Sequence, residues 1–246
     1  MGRHWTHVTL AAASRFIIDV RLGARTLESA AQLVASVALA CRHTLPLLLI
    51  DDHRPYPAAI LQVFGLIRHR RRKRGRGRWK HPDLKPPPGL LVGVVKKTRE
   101  ERGNLLGVTT KALFGSRKAI VRRIRRAEVG EQINTSHIER LNGTLRGQQA
   151  RLARRTRGVS RLAEALQHSP WLWRDLYNWT RPHGSLEGRS PAMAAGLTER
   201  VWSVRDYLEY PAHVSDLQRA IWAEERKNRL TSALEARKRK KLLPTS

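Results

Sequence analysis

Two runs near the start of the chain, Trp5 to Ala12 and Phe16 to Leu22, mix β-branched, aromatic and polar residues as half-buried strands do. The Ala13-Ser14-Arg15 between them is short enough for a hairpin turn. From Thr26 to Cys41 the period lengthens to that of a helix. Leu27, Ala31, Val34 and Leu39 form its expected apolar stripe, and Thr26 is suited to cap it. Leu45-Pro-Leu-Leu-Leu-Ile50 then reads as a buried parallel strand, closed at once by Asp51-Asp52-His53. Pro57 to Phe64 predicts a short helix behind it.

Between residues 66 and 89 the pattern lapses. Arg68 to Lys80 is a dense basic run broken by Gly75 and Gly77, and Pro82 to Gly89 holds three consecutive prolines. Neither stretch can build a core, which predicts an exposed insertion. Alternation resumes at Leu90 to Lys97. A turn at Arg99 to Asn104 and a second run, Leu105 to Phe114, complete a hairpin with one strand in the main sheet. Ala119 to Ala127 predicts a basic helix. The next helix extends to about Arg155. Its Ile138, Leu141, Leu145 and Leu152 recur at helical spacing, which gathers Glu139, Asn142 and Arg146 on a neighbouring face. Leu162 to Trp179 predicts a further helix anchored in the core by Trp171, Trp173 and Trp179. Arg181-Pro182-His183 ends it, because proline disfavours helical geometry in the residue before it. From Val214 the chain reads as a charge-rich helical tail ending in Arg237-Lys-Arg-Lys-Lys241.

Charge changes the picture more than composition does. Forty-eight Lys and Arg against twenty Asp and Glu leave a formal charge of +28 over 246 residues. Attraction to phosphate therefore dominates any encounter with nucleic acid. With 41% apolar residues there is material for a core. A single cysteine, Cys41, excludes an internal disulfide and fits a reducing compartment. No His or Cys cluster has zinc-site spacing, and no apolar run approaches the roughly 20 residues of a membrane span. The expectation is a cytoplasmic protein associated with DNA.

Carboxylates are scarce in so basic a chain, so their placement matters. Asp51 or Asp52, just past the carboxyl end of a strand, sits where open α/β sheets hold ligands, although a turn or cap role fits equally well. Ser136 and Glu139 satisfy the S-x-x-E capping box, in which the glutamate serves an orphan amide at the helix start. Glu139 is also the one carboxylate on a helix crowded with arginines and amides, which suits metal-dependent phosphate chemistry.

Five motifs in order carry a family resemblance. They are Asp51-x-His53-Arg-Pro-Tyr56-Pro; Val94-Val95-Lys96-Lys97; Asn134-Thr-x-x-x-Glu139-Arg-x-Asn142-x-Thr-x-Arg146; Arg151-Leu-Ala-Arg154-Arg155-Thr156; and Tyr177-Asn178-x-x-Arg181-Pro182-His183-x-x-Leu186. Together they resemble the later part of a bacterial insertion-sequence transposase of the DDE type. The resemblance spans most of residues 5 to 197. It implies an α/β, RNase H-like mixed sheet flanked by helices, with a helical C-terminal extension. It also implies that Asp51 is the second and Glu139 the third acidic residue of the catalytic triad, Asp52 remaining an alternative to Asp51. Asp51 and Glu139 would then be metal ligands for two Mg²⁺ or Mn²⁺ ions. Lys96, Lys97, Asn142, Arg146, Arg151, Arg154 and Arg155 would position double-stranded DNA, at transposon ends and target, in a protein whose oligomeric state stays open.

In the family the first aspartate lies on a central strand preceding the segment like Trp5 to Ala12. Asp19, the earliest acidic residue here, sits in surroundings like the third strand, so that role does not pass to it. The expectation is a transposase lacking its first strand, truncated and catalytically impaired. A non-catalytic basic DNA-binding remnant or regulator of transposition is the alternative. The expected organisation is a core over residues 1–160 with the insertion at about 66–89, a helical part over 161–213 and a basic tail over 214–246.

Overall fold

A computed structural model describes residues 5–42, 44–68, 82–101, 104–152 and 163–210. The chain divides into a unit of residues 1–207 and a second of residues 208–246. The predicted helical tail lies outside the described residues.

Strands β1 (Trp5–Ala11) and β2 (Phe16–Gly23) form the predicted antiparallel hairpin, registered from Trp5 opposite Gly23 to Ala11 opposite Phe16. Its turn holds Arg15 at φ 58°, a left-handed conformation uncommon outside glycine. Helix α1 (Leu27–Cys41) begins as expected, with the Thr26 hydroxyl accepting from the Ser29 amide at 3.3 Å. Its buried stripe differs from the predicted one. Ala30, Leu33, Val34 and Val37 face inward, while Leu27 and Leu39 are exposed. The observed set follows i, i+3, i+4, i+7, the spacing that keeps residues on one helical face.

Strand β3 (Leu47–Asp51) runs parallel to β6 (Leu91–Arg99), with Asp51 opposite Val95, and β7 (Leu105–Phe114) pairs antiparallel to β6. The sheet is thus mixed, as an RNase H-like arrangement requires, in the order β3-β6-β7. The hairpin β1-β2 is a separate ladder. Strand β3 was expected to be buried; its leucines are only half-buried, because it stands at the edge of its ladder. The expected insertion at about 66–89 starts and finishes in short strands that the sequence pattern did not predict. Its two ends meet as a short antiparallel pair, β4 (Leu66–Arg68) with β5 (Asp83–Lys85), clasped by Arg68 on Asp83. Residues 69–81 lie outside the described part.

Helix α2 (Tyr56–Phe64) and α1 cover one face of the β3-β6 ladder. Leu48 and Ile50 point into that cluster with Val34, Ile60 and Val92. Helix α3 (Arg117–Arg126) covers the other face, where Leu47 and Leu49 meet Val95, Ile120, Ile124 and Ile133. A third cluster joins the hairpin to α4 (Ser136–Gln148) and α5 (Ala163–Thr180) through Ile17, Val20, Leu141, Leu145, Trp173 and Tyr177. Of the three tryptophans expected as anchors, Trp173 is in this core. Trp179 is half-buried with its ring 4.5 Å from Trp202, and Trp171 is exposed beside His168. Two short helices, α6 (Pro191–Ala194) and α7 (Val204–Glu209), follow. No described helix is long and apolar enough to cross a membrane.

Helix α5 also finishes the outer edge of β2. The Asn178 side chain accepts from the Ile17 amide at 2.8 Å and donates to the Ile17 carbonyl at 2.9 Å. Gln167 does the same for the Leu22 amide and the Val20 carbonyl, at 2.6 and 2.9 Å. Two carboxamides thereby satisfy main-chain groups that a neighbouring strand would otherwise take.

Candidate carboxylate site and nucleic-acid interface

Alternation along the strands decides what shares a face. Leu47 and Leu49 pack toward α3, so Asp51, next in that series, belongs to the same face of β3. On β6 that face carries Val95 and then Lys97, which lies beyond the end of β3 because β6 is the longer strand. Lys97 donates to the Glu139 carboxylate, in the first turn of α4. Lys97 and Glu139 are thus in contact; Asp51 ends the neighbouring strand, and the groups its charge acts on are His7, His53 and Tyr56 rather than Glu139.

Lys96 points the other way. It shares the α1-α2 face with Val92 and Val94, and its ammonium stands 4.0 Å from Asp52. The adjacent lysines, read together as DNA contacts, therefore serve opposite faces of one strand. Asp51 and Asp52 are both exposed, and the Asp51 carboxylate accepts from the His53 amide at 3.3 Å in an Asx turn.

The predicted capping box does not form around Ser136. Helix α4 starts at Ser136 with Thr135 as the cap residue, so Glu139 falls one position too far along to reach the cap amide. Instead its own amide donates to the Thr135 carbonyl at 3.0 Å, and its carboxylate accepts from the Thr135 hydroxyl at 2.6 Å. Asn134 takes over the local capping, accepting from the Ser136 amide at 3.2 Å. Burial pushes the Glu139 carboxyl up. Hydrogen bonds from Lys97 and Thr135, with the charges of Lys97 and Arg99, outweigh that and hold it below the usual range.

Along α4, Leu141 and Leu145 enter the core, Asn142 is half-buried and Arg146 is exposed. Arg146 sits in the last turn, where a cation complements the helix dipole. The helix stops at Gln148, short of the predicted Arg155, and a single 3-10 turn over Ala150–Leu152 carries the exposed Arg151. Arg154 and Arg155 lie outside the described residues.

Two groups of functional candidates escaped the sequence reading. Helix α3 buries Ile120 and Ile124 and turns Arg122, Arg123 and Arg126 to solvent; an apolar i, i+4 pair amid arginines was the available signal. His53, buried behind Asp51, receives Arg25 at 3.2 Å on Nδ1 and lies 6.0 Å from the His7 ring and 5.1 Å from Tyr56. Burial and the Arg25 charge lower the His53 pKa. Arg25 also lies over the Trp5 ring at 4.4 Å. Nothing in the spacing of these residues signals that they meet.

Among the described residues, no three His, Cys, Asp or Glu side chains gather closely enough to hold a metal ion. Residues 123–191 match the family model described as an integrase core domain, which makes this segment similar to the RNase H-like unit of integrases and transposases. No curated protein and no solved structure matches the chain.

Proposed function

We propose that this chain is a DNA-binding domain of the integrase and transposase type, from the insertion-sequence DDE lineage. In this reading Asp51 and Glu139 are its remaining acidic pair, and the basic surface around α4 and β6 holds duplex DNA. The observation that carries it is the contact of Lys97, just beyond the end of β3 that bears Asp51, with Glu139, which lies inside the integrase-like segment. Lys97, Arg146 and Arg151 would act on phosphates, as point charges or as planar forks, and so fix the register of a duplex without reading bases. Asn142, half-buried between Leu141 and Arg146, would add a neutral donor.

The resemblance implies divalent ions held by three carboxylates, which would activate an attacking oxygen and stabilise the leaving one at phosphorus. The residues present do not fit that group. Glu139 is engaged by Lys97, Asp52 faces Lys96, and no described third carboxylate joins Asp51 and Glu139. Asp19, the remaining candidate, is buried and taken up by Arg21 and Ser36, each at 2.5 Å. We therefore read these 246 residues as binding DNA, in a bacterial cytoplasm, without cutting it. This non-catalytic reading is favoured by the lack, among the described residues, of a third carboxylate grouped with Asp51 and Glu139.

Two assays test the proposal. Duplex binding should be largely indifferent to sequence and fall with salt, by a log slope of about −0.9 for each phosphate neutralised. A flat salt dependence would remove the basis for it. A supercoiled plasmid incubated with Mg²⁺ or Mn²⁺ should stay intact; metal-dependent nicking that disappears in Glu139→Gln would show a complete active site instead.

A further inference from the structure

Three arginines from three separate elements lie around one rim of the hairpin core, Arg15 and Arg181 beside Tyr177 and Arg140 beside Arg15. Arg15 occupies the β1-β2 turn, held in its left-handed conformation by donation from its own guanidinium to the Ala12 carbonyl. Arg140 follows Glu139 on α4, beside the buried Leu141. Arg181 lies one turn beyond Tyr177 at the end of α5, its guanidinium 5.7 Å from the Tyr177 ring. Ile17, Leu141 and Tyr177 pack in one cluster, so the packing itself draws their basic neighbours to its rim.

The arginines act on one another and on the rings they surround. Arg15 and Arg140 oppose one another electrostatically. Arg15 and Arg181 both act on Tyr177 and on His183, whose rings lie 4.7 Å apart, edge to face. His137, bonded to the Val129 carbonyl at 3.2 Å, feels Arg15 and Arg140. For His137 and His183 burial comes first, and the arginines add to it in favouring the neutral ring. The Nε2 atom of His183 is buried and has no hydrogen-bond partner among the described residues.

Neighbouring acids are committed elsewhere. Asp19 is bonded by Arg21 and Ser36, Asp175 by Arg174 at 2.7 Å and Tyr207 at 3.0 Å, and Glu139 by Lys97 and Thr135. No carboxylate among the described residues pairs with Arg15, Arg140 or Arg181. A cluster of like charges converging from three elements, with no counter-charge, raises the energy of the free protein, and an anion relieves it. Guanidinium groups match the oxygens of a phosphate two at a time.

We propose that Arg15, Arg140 and Arg181 form a second phosphate-binding site, whose ligand is the backbone of a nucleic acid lying across the β1-β2 turn, α4 and the end of α5. The site rests on the DNA-binding reading for its ligand but not for its existence.

The test uses the full chain and two probes, inorganic phosphate in thermal unfolding and a fluorescein-labelled duplex in anisotropy across a salt series. Phosphate should raise the Tm of the wild type but not of an Arg15→Gln/Arg140→Gln/Arg181→Gln variant. Since Arg15→Gln alone can disturb the turn, Arg140→Gln/Arg181→Gln provides a second variant, expected to be at least as stable as the wild type without phosphate. Both variants should bind duplex several-fold more weakly, with the salt slope shallower by about 0.9 for each phosphate they no longer neutralise. Arg140→Lys/Arg181→Lys should restore part of the binding. Equal phosphate responses in wild type and both variants would overturn the site. An abolished phosphate response with an unchanged duplex slope would overturn the nucleic-acid ligand. Should no form bind duplex at all, the functional proposal fails, while a phosphate response abolished only in the variants would still support the site.

Discussion

Replacing Asn178 by alanine removes both hydrogen bonds that close the outer edge of β2 at Ile17. Asn178 is 1% exposed and Ile17 is fully buried, so water cannot easily replace the carboxamide. The Ile17 amide and carbonyl lose partners at 2.8 and 2.9 Å. Each buried main-chain group left unsatisfied costs about 1–3 kcal/mol, which gives about 2–6 kcal/mol for the pair, and local relaxation puts the expected loss near 3 kcal/mol. Against a total stability of about 5–15 kcal/mol this is a large fraction. Urea unfolding followed by tryptophan fluorescence is the assay, since Trp173 lies in the same cluster. With an m-value of about 2–3 kcal/mol/M the midpoint should fall by about 1–1.5 M. Gln167→Ala makes the same kind of cut at a half-buried position and should cost less, about 1–2 kcal/mol. Asn178→Asp keeps the acceptor for the Ile17 amide but sets a second oxygen against the Ile17 carbonyl, so most of the loss should persist. A loss below about 1 kcal/mol in Asn178→Ala, or an equal loss in Gln167→Ala, would refute the claim that burial of these edge bonds is what makes them count.

Lys97→Met should let the Glu139 carboxyl rise toward its ordinary value, measured by NMR titration; no change would mean that Lys97 does not hold it. Because the folded-state pKa of Glu139 is depressed, its contribution to stability is present above the unfolded value of about 4.3 and is lost as pH falls through the folded value. The variant should therefore lack that share of the acid-limb loss below about pH 4. Ile124→Ala, at a fully buried position between α3 and the sheet, should cost about 2–5 kcal/mol in urea unfolding, and a cost below about 1 kcal/mol would mean that α3 is not packed there. Gly115→Ala, at φ +77° with the added carbon 2.4 Å from a Leu91 methyl, should lower Tm by several degrees; a neutral outcome would exclude that turn geometry.

Much of the element pattern was legible from the chain alone. The β1-β2 hairpin, α1 with its Thr26 cap, the β3 strand, and the β6-β7 hairpin each rest on local periodicity and on turn or cap residues a few positions away. Glu139 and Asp51 were legible as candidates because a lone carboxylate at a helix start or a strand end is visible without knowing what it faces. What stayed hidden depends on register and on distant partners. That Lys97 meets Glu139 while its neighbour Lys96 turns to Asp52 follows from the pairing of β6 with β3, which no local pattern encodes. The capping box failed because one residue of shift at the start of α4 moves Glu139 from the cap amide to the Thr135 hydroxyl and the Lys97 ammonium. The sealing of β2 by Asn178 and Gln167 joins residues 161 and 145 positions apart, and a carboxamide on a helix gives no local sign of which strand edge it will complete. Local preferences, acting over a few residues, set most of the strands and helices, although β4, β5 and the early end of α4 at Gln148 escaped them. Which charges stand beside one another depends on the packed fold, because alternation and helical phase convert a single residue of register into a choice between opposite faces.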